Sequence, residues 1–442
     1  MEKREHASID IKNLADTLNG KLSTLHPSSG NCCIYRIPQR IRQLNESACT
    51  PRAVSIGPFH HGKKELMATE ELKLVFLQDF LKLTEKSTMD FLLYVKDKEV
   101  ELRECYAETI SIESNEFVEM ILLDAAFVIE FLLKGNRISS REQLAEISSS
   151  IAIDIWPDIY QLENQLPMFM LKGLFELAMP MNGMSDDLSL RKLIRNMMIN
   201  IVGYYLVKIE ENLLENCFSK AKHLLDWLRL CLQPPEFYSE NELKTVTTPT
   251  ITELEQAGVK FKVGSSKHFF DIRFKNGILE IPTLLIVSDT ESLFVNLLAY
   301  EQLNFSTRYL NDYIVIMNHL VRTRKDQEIL IQNGVIEEYV WDREGRTDVF
   351  QKLGQESYID PRLFNYTALV VQLNVYSRTP WNKWKTALKQ NYFNTPWASI
   401  SVIAAVILLV LTFIQAVCSV IACSYFLIIN LYLSKDFIDM PV

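Results

Sequence analysis

The sequence predicts a mostly α-helical fold with small antiparallel β elements (α+β) and a single carboxyl-terminal transmembrane helix. Three observations carry that reading. Apolar residues recur at helical spacing through most of the chain. Only 14 of 442 residues are glycine, about half the usual frequency, which disfavours β-rich or loop-rich architecture. Finally, 45 consecutive residues, Gln390–Ser434, carry no charge, more than the about 20 apolar residues a helix needs to cross a hydrocarbon core.

Residues 1–30 are expected to form an amphipathic helical segment, with Ile9, Ile11, Leu14, Leu18 and Leu22 on one face laid against the main body. The segment has no continuous apolar run and does not fit a secretory signal peptide. Residues 31–377 are expected to form a helical globular domain. In it, Cys33–Pro38 and Ala53–Pro58 are β-branched runs closed by proline, which suits small edge strands. Helices are predicted over Glu65–Lys82 and Phe117–Leu133. The second is apolar almost all round, the mark of a central buried helix. Its Glu119, Asp124 and Glu130 argue against a membrane span. The helical pattern continues over Asp158–Leu171, Leu190–Leu214 and His223–Leu232 until Pro234-Pro235 breaks it.

Thr252–Gly258 reads as a helix ending on glycine, after which the period changes. Val259–Val263 and Phe269–Phe274 alternate, and Asn276-Gly277 separates the latter from Ile278–Pro282, which predicts a β-hairpin near 259–282. Helices resume over Thr290–Phe305, Tyr313–Leu320 and Lys325–Gln332, the last stopped by Asn333-Gly334.

Residues 378–397 form a basic and aromatic juxtamembrane segment. Arg378, Lys383, Lys385 and Lys389 lie beside Trp381, Trp384, Tyr392, Phe393 and Trp397. Such rings favour the headgroup layer, and the positive charge places the bulk domain in the cytoplasm. The transmembrane helix is expected over 398–424, best fitted by Ser399–Ile421, with 425–442 as a short tail. The competing topology places the bulk outside, where Asn45-Glu-Ser47, Asn304-Phe-Ser306 and Asn365-Tyr-Thr367 would accept glycans. Gln415 lies deep in the span, where its amide favours a partner helix, so a homodimer through the transmembrane helix is expected.

The formal charge of −9, from 55 acidic and 46 basic residues, offers no field for nucleic acid. The eight cysteines include no Cys-x-x-Cys, which points to reduced thiols rather than a zinc site or disulfide scaffold. Vicinal Cys32-Cys33 is a poor disulfide pair. Cys418 and Cys423, in or at the end of the span, are expected to pack. The best polar constellation is His60-His61 with Asp124, Glu130, Asp158, Glu163 and Asn164. Two imidazoles and several carboxylates suit a divalent metal or acid–base chemistry. Adjacent histidines project in different directions, however, and no His-Glu-x-x-His, Gly-x-Ser-x-Gly or Walker loop is present.

The structural reading is the stronger one. His60-His61-Gly62 would form a turn, Asp124 and Glu130 would cap a helix or pair with an arginine, and the Glu163-Asn164-Gln165 side chains would tie a helix to a loop. His223, His268 and His319 are expected to be structural or solvated. No catalytic, cofactor-binding or metal-ligating residue is assigned, no cofactor is implied, and the sequence leans away from an enzyme.

Six phrases occur in succession: Ile34–Pro38, Val54–Gly62, Leu162–Pro167, Thr252–Phe261, Gly277–Pro282 and Asn296–Gln302. In this order they resemble a plant family known as domain of unknown function 247, from about Cys33 through the terminal span. The resemblance implies a plant membrane protein with one carboxyl-terminal span. Some grass relatives are associated with pollen recognition in self-incompatibility, and the family supplies no catalytic residues to carry over. This chain has Ala125-Ala126 where the family often has glycine and cysteine, and Phe59 where it often has tyrosine. The expected function is a membrane-anchored, non-enzymatic protein-interaction or recognition module whose protein partner is unknown. The alternative is a membrane-tethered hydrolase or transferase using the His/carboxylate set.

Overall fold

A computed structural model describes residues 2–23, 30–137, 149–179, 189–196, 211–233, 243–266, 268–304, 308–338, 349–379 and 396–436. Helix α1 (Glu2–Ser23) forms as its periodicity predicts. Its Ile11, Leu14, Leu18 and Leu22 face outward instead of lying against the body, at 49–66% exposure. The stretch before α2 (Gln39–Arg42) is extended but no strand. It makes one parallel bridge, Ile34 to Tyr106. Ala53–Pro58 is no strand either, with bends at Ala53 and Gly57, because side chains, described below, take most of its N–H groups.

Helix α3 (Glu70–Lys82) is preceded by a tighter 3-10 turn over Lys64–Thr69, which splits the single helix expected over Glu65–Lys82. Next come α4 (Thr88–Asp97), opened by a Ser87–Asp90 capping box, and α5 (Glu99–Glu104). Helix α6 (Ser114–Arg137) is the central buried helix the sequence predicts, packed on α3 and α4. Phe76 of α3 meets Phe127 of α6 with ring centroids 4.9 Å apart. Ala125 and Ala126 are fully buried there.

Helix α7 (Ser149–Ile159) stops before Tyr160, and α8 (Met168–Ala178) starts only after Pro167. The continuous helix expected over Asp158–Leu171 is therefore interrupted by a turn over 160–167. Proline disfavours helix in the residue before it, and the Asn164 and Gln165 amides capture carbonyls the helix would otherwise use. Helices α9 (Glu211–Lys220) and α10 (Leu224–Leu232) follow; 197–210 of the helix expected over Leu190–Leu214 and Pro234-Pro235 lie outside the described residues. Helix α11 (Ile251–Gln256) ends toward Gly258, whose φ of +89° is the left-handed stop expected there.

Strands β1 (Lys260–Val263), β2 (Arg273–Lys275) and β3 (Ile278–Ile281) form a sheet in the order β1-β3-β2. The β2–β3 hairpin is antiparallel and turns on Asn276 and Gly277, both with positive φ. β1 joins β3 in parallel, with Lys260 opposite Ile278, so the sheet is mixed. Phe269 and Phe270 lie outside β2, both buried, with ring centroids 5.2 and 5.3 Å from that of Tyr313. A second parallel pair, β4 (Leu284–Ile286) with β5 (Ile336–Glu338), has no counterpart in the sequence reading.

Helices α12 (Thr290–Asn304), α13 (Tyr309–Leu320), α14 (Arg324–Gln332), α15 (Val349–Gln355) and α16 (Thr367–Arg378) complete the body. One hydrophobic core runs from Ile37 to Leu373. Helix α17 (Pro396–Asp436) is continuous over 41 residues, about 60 Å at the helical rise. Within it Ile400–Leu427 is long and apolar enough to cross a membrane, and none of it is buried in the protein. The helix continues through the expected tail to Asp436, because no proline or glycine follows Pro396 until Pro441. Most of the juxtamembrane segment, 380–395, lies outside the described residues.

Candidate functional site

The polar constellation does converge in space, but around backbone. Asp158, at the end of α7, accepts N–H bonds from Arg52, Ala53 and Val54 at 2.9, 2.7 and 2.9 Å. Asn164 accepts from Ile56 N at 2.7 Å and donates to the carbonyls of Val54 and Asp158 at 3.0 Å. Asp124 accepts from Gly57 N at 2.7 Å and pairs with Lys73 Nζ at 2.6 Å. Three side chains thus take the place of a neighbouring strand for 52–57, since buried N–H groups must be satisfied somewhere. Glu163 does the same for the preceding stretch, accepting from Ile37 N at 2.7 Å.

Glu163 is also the electrostatic centre. Arg42 contacts its Oε1, and Arg36 Nη1 and His60 Nε2 lie 3.4 and 3.2 Å from its Oε2. The imidazole of His60, 1% exposed, sets Nε2 beside the carboxylate, off the ideal hydrogen-bond line but near enough to favour its charged form. Burial alone would raise the Glu163 carboxyl; His60, the Ile37 N–H and Arg42 outweigh it and hold it down at about 2. Burial lowers His60, which is therefore neutral at pH 7. His61 turns away to Glu116, 3.2 Å off, so the adjacent imidazoles do project apart.

Elsewhere burial dominates. It pushes Asp158 up to about 6 against its three N–H bonds. It works against both partners of the Lys73–Asp124 pair: it raises Asp124, whereas attraction to Asp124 and Glu70 outweighs it at Lys73 and raises the ammonium. Asp124, expected to cap a helix or pair with an arginine, thus meets a lysine and a loop N–H. Glu130 lies 3.6 Å from Lys134. Gln165 donates to the carbonyls of Ile159 and Gln161 at 2.7 and 2.8 Å and accepts from Leu225 N, tying turn to helix as expected. His223 caps α10 by accepting from Asp226 N, and its Nε2–H donates to Cys33 O at 3.1 Å. Burial drives it down to about 4.

Several members of this network escaped the sequence reading. Asn296 accepts from Leu162 N and donates to Ala48 O at 2.7 Å. Glu301 caps α13 through Leu310 N and Asn311 N, and burial pushes it up to about 7. Asp326 accepts from Thr252 N and Thr323 N. Asn296 and Glu301 lie in the phrase Asn296–Gln302 that carries the resemblance, which was the available signal. Lys73 had none.

Two open clefts lie elsewhere, on either side of α16. One of about 440 Å³ is lined by Phe270, Arg273, Lys275 and Tyr366, and one of about 530 Å³ by Thr248, Glu253, Gln256 and Arg378. Neither lining includes a member of the His/carboxylate set. Among the described residues no three His, Cys, Asp or Glu side chains are grouped to hold a metal ion.

A model of DUF247, described as a plant protein of unknown function, matches residues 34–411. The UPF0481 protein At3g47200 of Arabidopsis thaliana is 26% identical over 426 residues, covering 89% of this chain and 87% of that protein. The putative UPF0481 protein At3g02645 of Arabidopsis thaliana is 20% identical over 500 residues, covering 92% and 93%. No solved structure matches the chain.

Proposed function

The chain belongs to the DUF247 family of plant proteins of unknown function, and we propose that it is a membrane-anchored, non-enzymatic recognition module that binds another protein. The observation that carries this reading is the employment of its polar residues: Asp124, Asp158, Glu163 and Asn164 are bound to backbone N–H groups inside the core. Residues 31–377 form the binding body, 378–397 the headgroup layer and Ile400–Leu427 the anchor. The unburied apolar helix supports anchoring.

The basic flank favours a cytoplasmic body, and two glycan-acceptor side chains point the same way. Asn45 Nδ2 donates to Glu291 at 3.0 Å and Asn365 Nδ2 to Asp312 at 2.8 Å, so a glycan on either would displace a folded contact. Pairing of two copies through the anchor is supported by a heptad stripe of small or polar residues, Ala398, Ser401, Ala405, Thr412, Gln415, Ser419 and Ala422, interrupted by Leu408. The Ser401, Thr412 and Ser419 hydroxyls bond carbonyls of their own helix. Gln415 has no such bond among the described residues.

Alkaline carbonate should leave the full chain in the pellet, and protease on sealed vesicles should digest the body from the cytosolic face. Cross-linking in native membranes, followed by mass spectrometry, should recover a stoichiometric protein partner. Release by carbonate removes the anchor, and stoichiometric zinc, manganese or iron in the purified protein favours chemistry over recognition.

A further inference from the structure

Cys33 and Cys105 stand 2% and 4% exposed in a small satellite cluster with Ile34, Phe59 and Tyr106. The parallel bridge between Ile34 and Tyr106 sets the residue before each of them face to face. Cys33 N donates to Cys105 O at 2.9 Å. Paired strands lie about 4.8 Å apart, and a disulfide needs a Cα separation of about 4.4–6.8 Å. Residues opposite each other in a bridge send their side chains to the same face. The two side chains therefore lie on one face of the bridge, and Cys105 Sγ donates to Glu101 O at 3.3 Å. All eight cysteines are free thiols in this structure.

We propose that Cys33 and Cys105 are a modification site, a dithiol that closes reversibly to a disulfide by exchange with glutathione disulfide. One cysteine sulfur attacks the glutathione disulfide, forming a mixed disulfide and releasing one glutathione thiolate. The second cysteine sulfur then attacks the mixed disulfide, forming the Cys33–Cys105 bond and releasing the second glutathione. The two cysteine protons end on the two glutathione thiols; the pair loses two electrons and the glutathione disulfide gains them. The neighbouring Cys105, together with burial, raises the Cys33 thiol well above its ordinary range. Exchange therefore runs through brief opening of the stretch before α2, which has to release the bridge to Tyr106 and the His223 bond to Cys33 O. The half-exposed Cys32 is the thiol that reacts without opening.

Closure ties that stretch to the end of α5 across a loop of roughly 70 residues, a length at which a cross-link restricts the unfolded chain strongly. It keeps Arg36 and Arg42 on Glu163. The pair stays reduced facing a glutathione-reducing cytosol and closes where the surroundings are oxidising.

The test uses the full chain in lipid nanodiscs, incubated in glutathione buffers from reduced to oxidised, quenched with N-ethylmaleimide and digested for mass spectrometry. A Cys33–Cys105 peptide should appear in most molecules at the oxidised end and vanish with dithiothreitol. It should be absent in Cys33→Ser and Cys105→Ser and retained in Cys32→Ser. Fragmentation of the wild-type cross-linked peptide assigns the sulfurs even where a variant does not fold. The urea midpoint of the oxidised wild type should rise. Glutathionylation of Cys32 with no Cys33–Cys105 peptide, a Cys32–Cys105 bond in its place, or closure only after urea unfolding would each overturn the proposal.

Discussion

At the residue scale, Glu163 shows how burial and partners compete. Its carboxyl sits at about 2 in the folded protein, below its ordinary 4.5, so the folded state binds that proton less readily than the unfolded one. Its stabilisation is full above pH 4.5 and is lost as pH falls toward 2, about 3 kcal/mol in all. Glu301, pushed up to about 7, has the opposite sign: its contribution is full below its ordinary value and fades as pH rises through 7. Urea denaturation across pH should therefore show wild type losing stability below pH 4.5, whereas Glu163→Gln is weaker at pH 7 and flatter in that acid window. Gly57 is a second such position. With φ +75°, an added Cβ would stand 2.8 Å from Gln165 O and 3.0 Å from the Tyr106 hydroxyl. Gly57→Ala should lower stability by about 1–3 kcal/mol. Gly62→Ala, with φ +74° and open space around it, should lose less in the same denaturation series.

At the element scale, α3 and α6 are held by Phe76 on Phe127 and by one buried ion pair. Removing one partner of a buried pair leaves a charge stranded in low dielectric, at a cost of about 3–5 kcal/mol. Lys73→Met should destabilise by that order and should also loosen 52–57, because Asp124 holds Gly57 N as well. Amide hydrogen exchange would report faster exchange at Gly57 than in distant α13. The helices were legible because each buries a periodic apolar face. The stretches 33–38 and 53–58 were misread as edge strands, since β-branched residues before proline look the same whether a strand or a carboxylate accepts their N–H groups. The turn at 160–167 was misread for a related reason: amides at 164 and 165 bind carbonyls locally, and that competition leaves no periodic trace.

At the scale of the whole molecule, the apolar helix α17 and the acidic body differ in the solvent each prefers. Ile400–Leu427 carries no charge, none of the described residues covers it, and it is long and apolar enough to cross a membrane. Gln415→Leu in the full chain should weaken self-association in a membrane assay by several-fold, in keeping with an interhelical bond worth on the order of 1 kcal/mol. Unchanged association would dismiss the paired-anchor arrangement and leave the anchor itself intact.

The amino-acid order by itself determined the helical class, the Asn276-Gly277 hairpin, the glycine stops at 258 and 334 and the unbroken apolar helix, because each is a local preference repeated along a few turns of chain. Tertiary structure alone decided what the buried acids do. Asp158 meets Arg52 through Val54, Asp124 meets Lys73 and Glu163 meets Ile37 across fifty or more intervening residues in each case. Whether a carboxylate serves chemistry or scaffolding depends on which donors surround it after the chain has closed, and residue spacing carries no record of that.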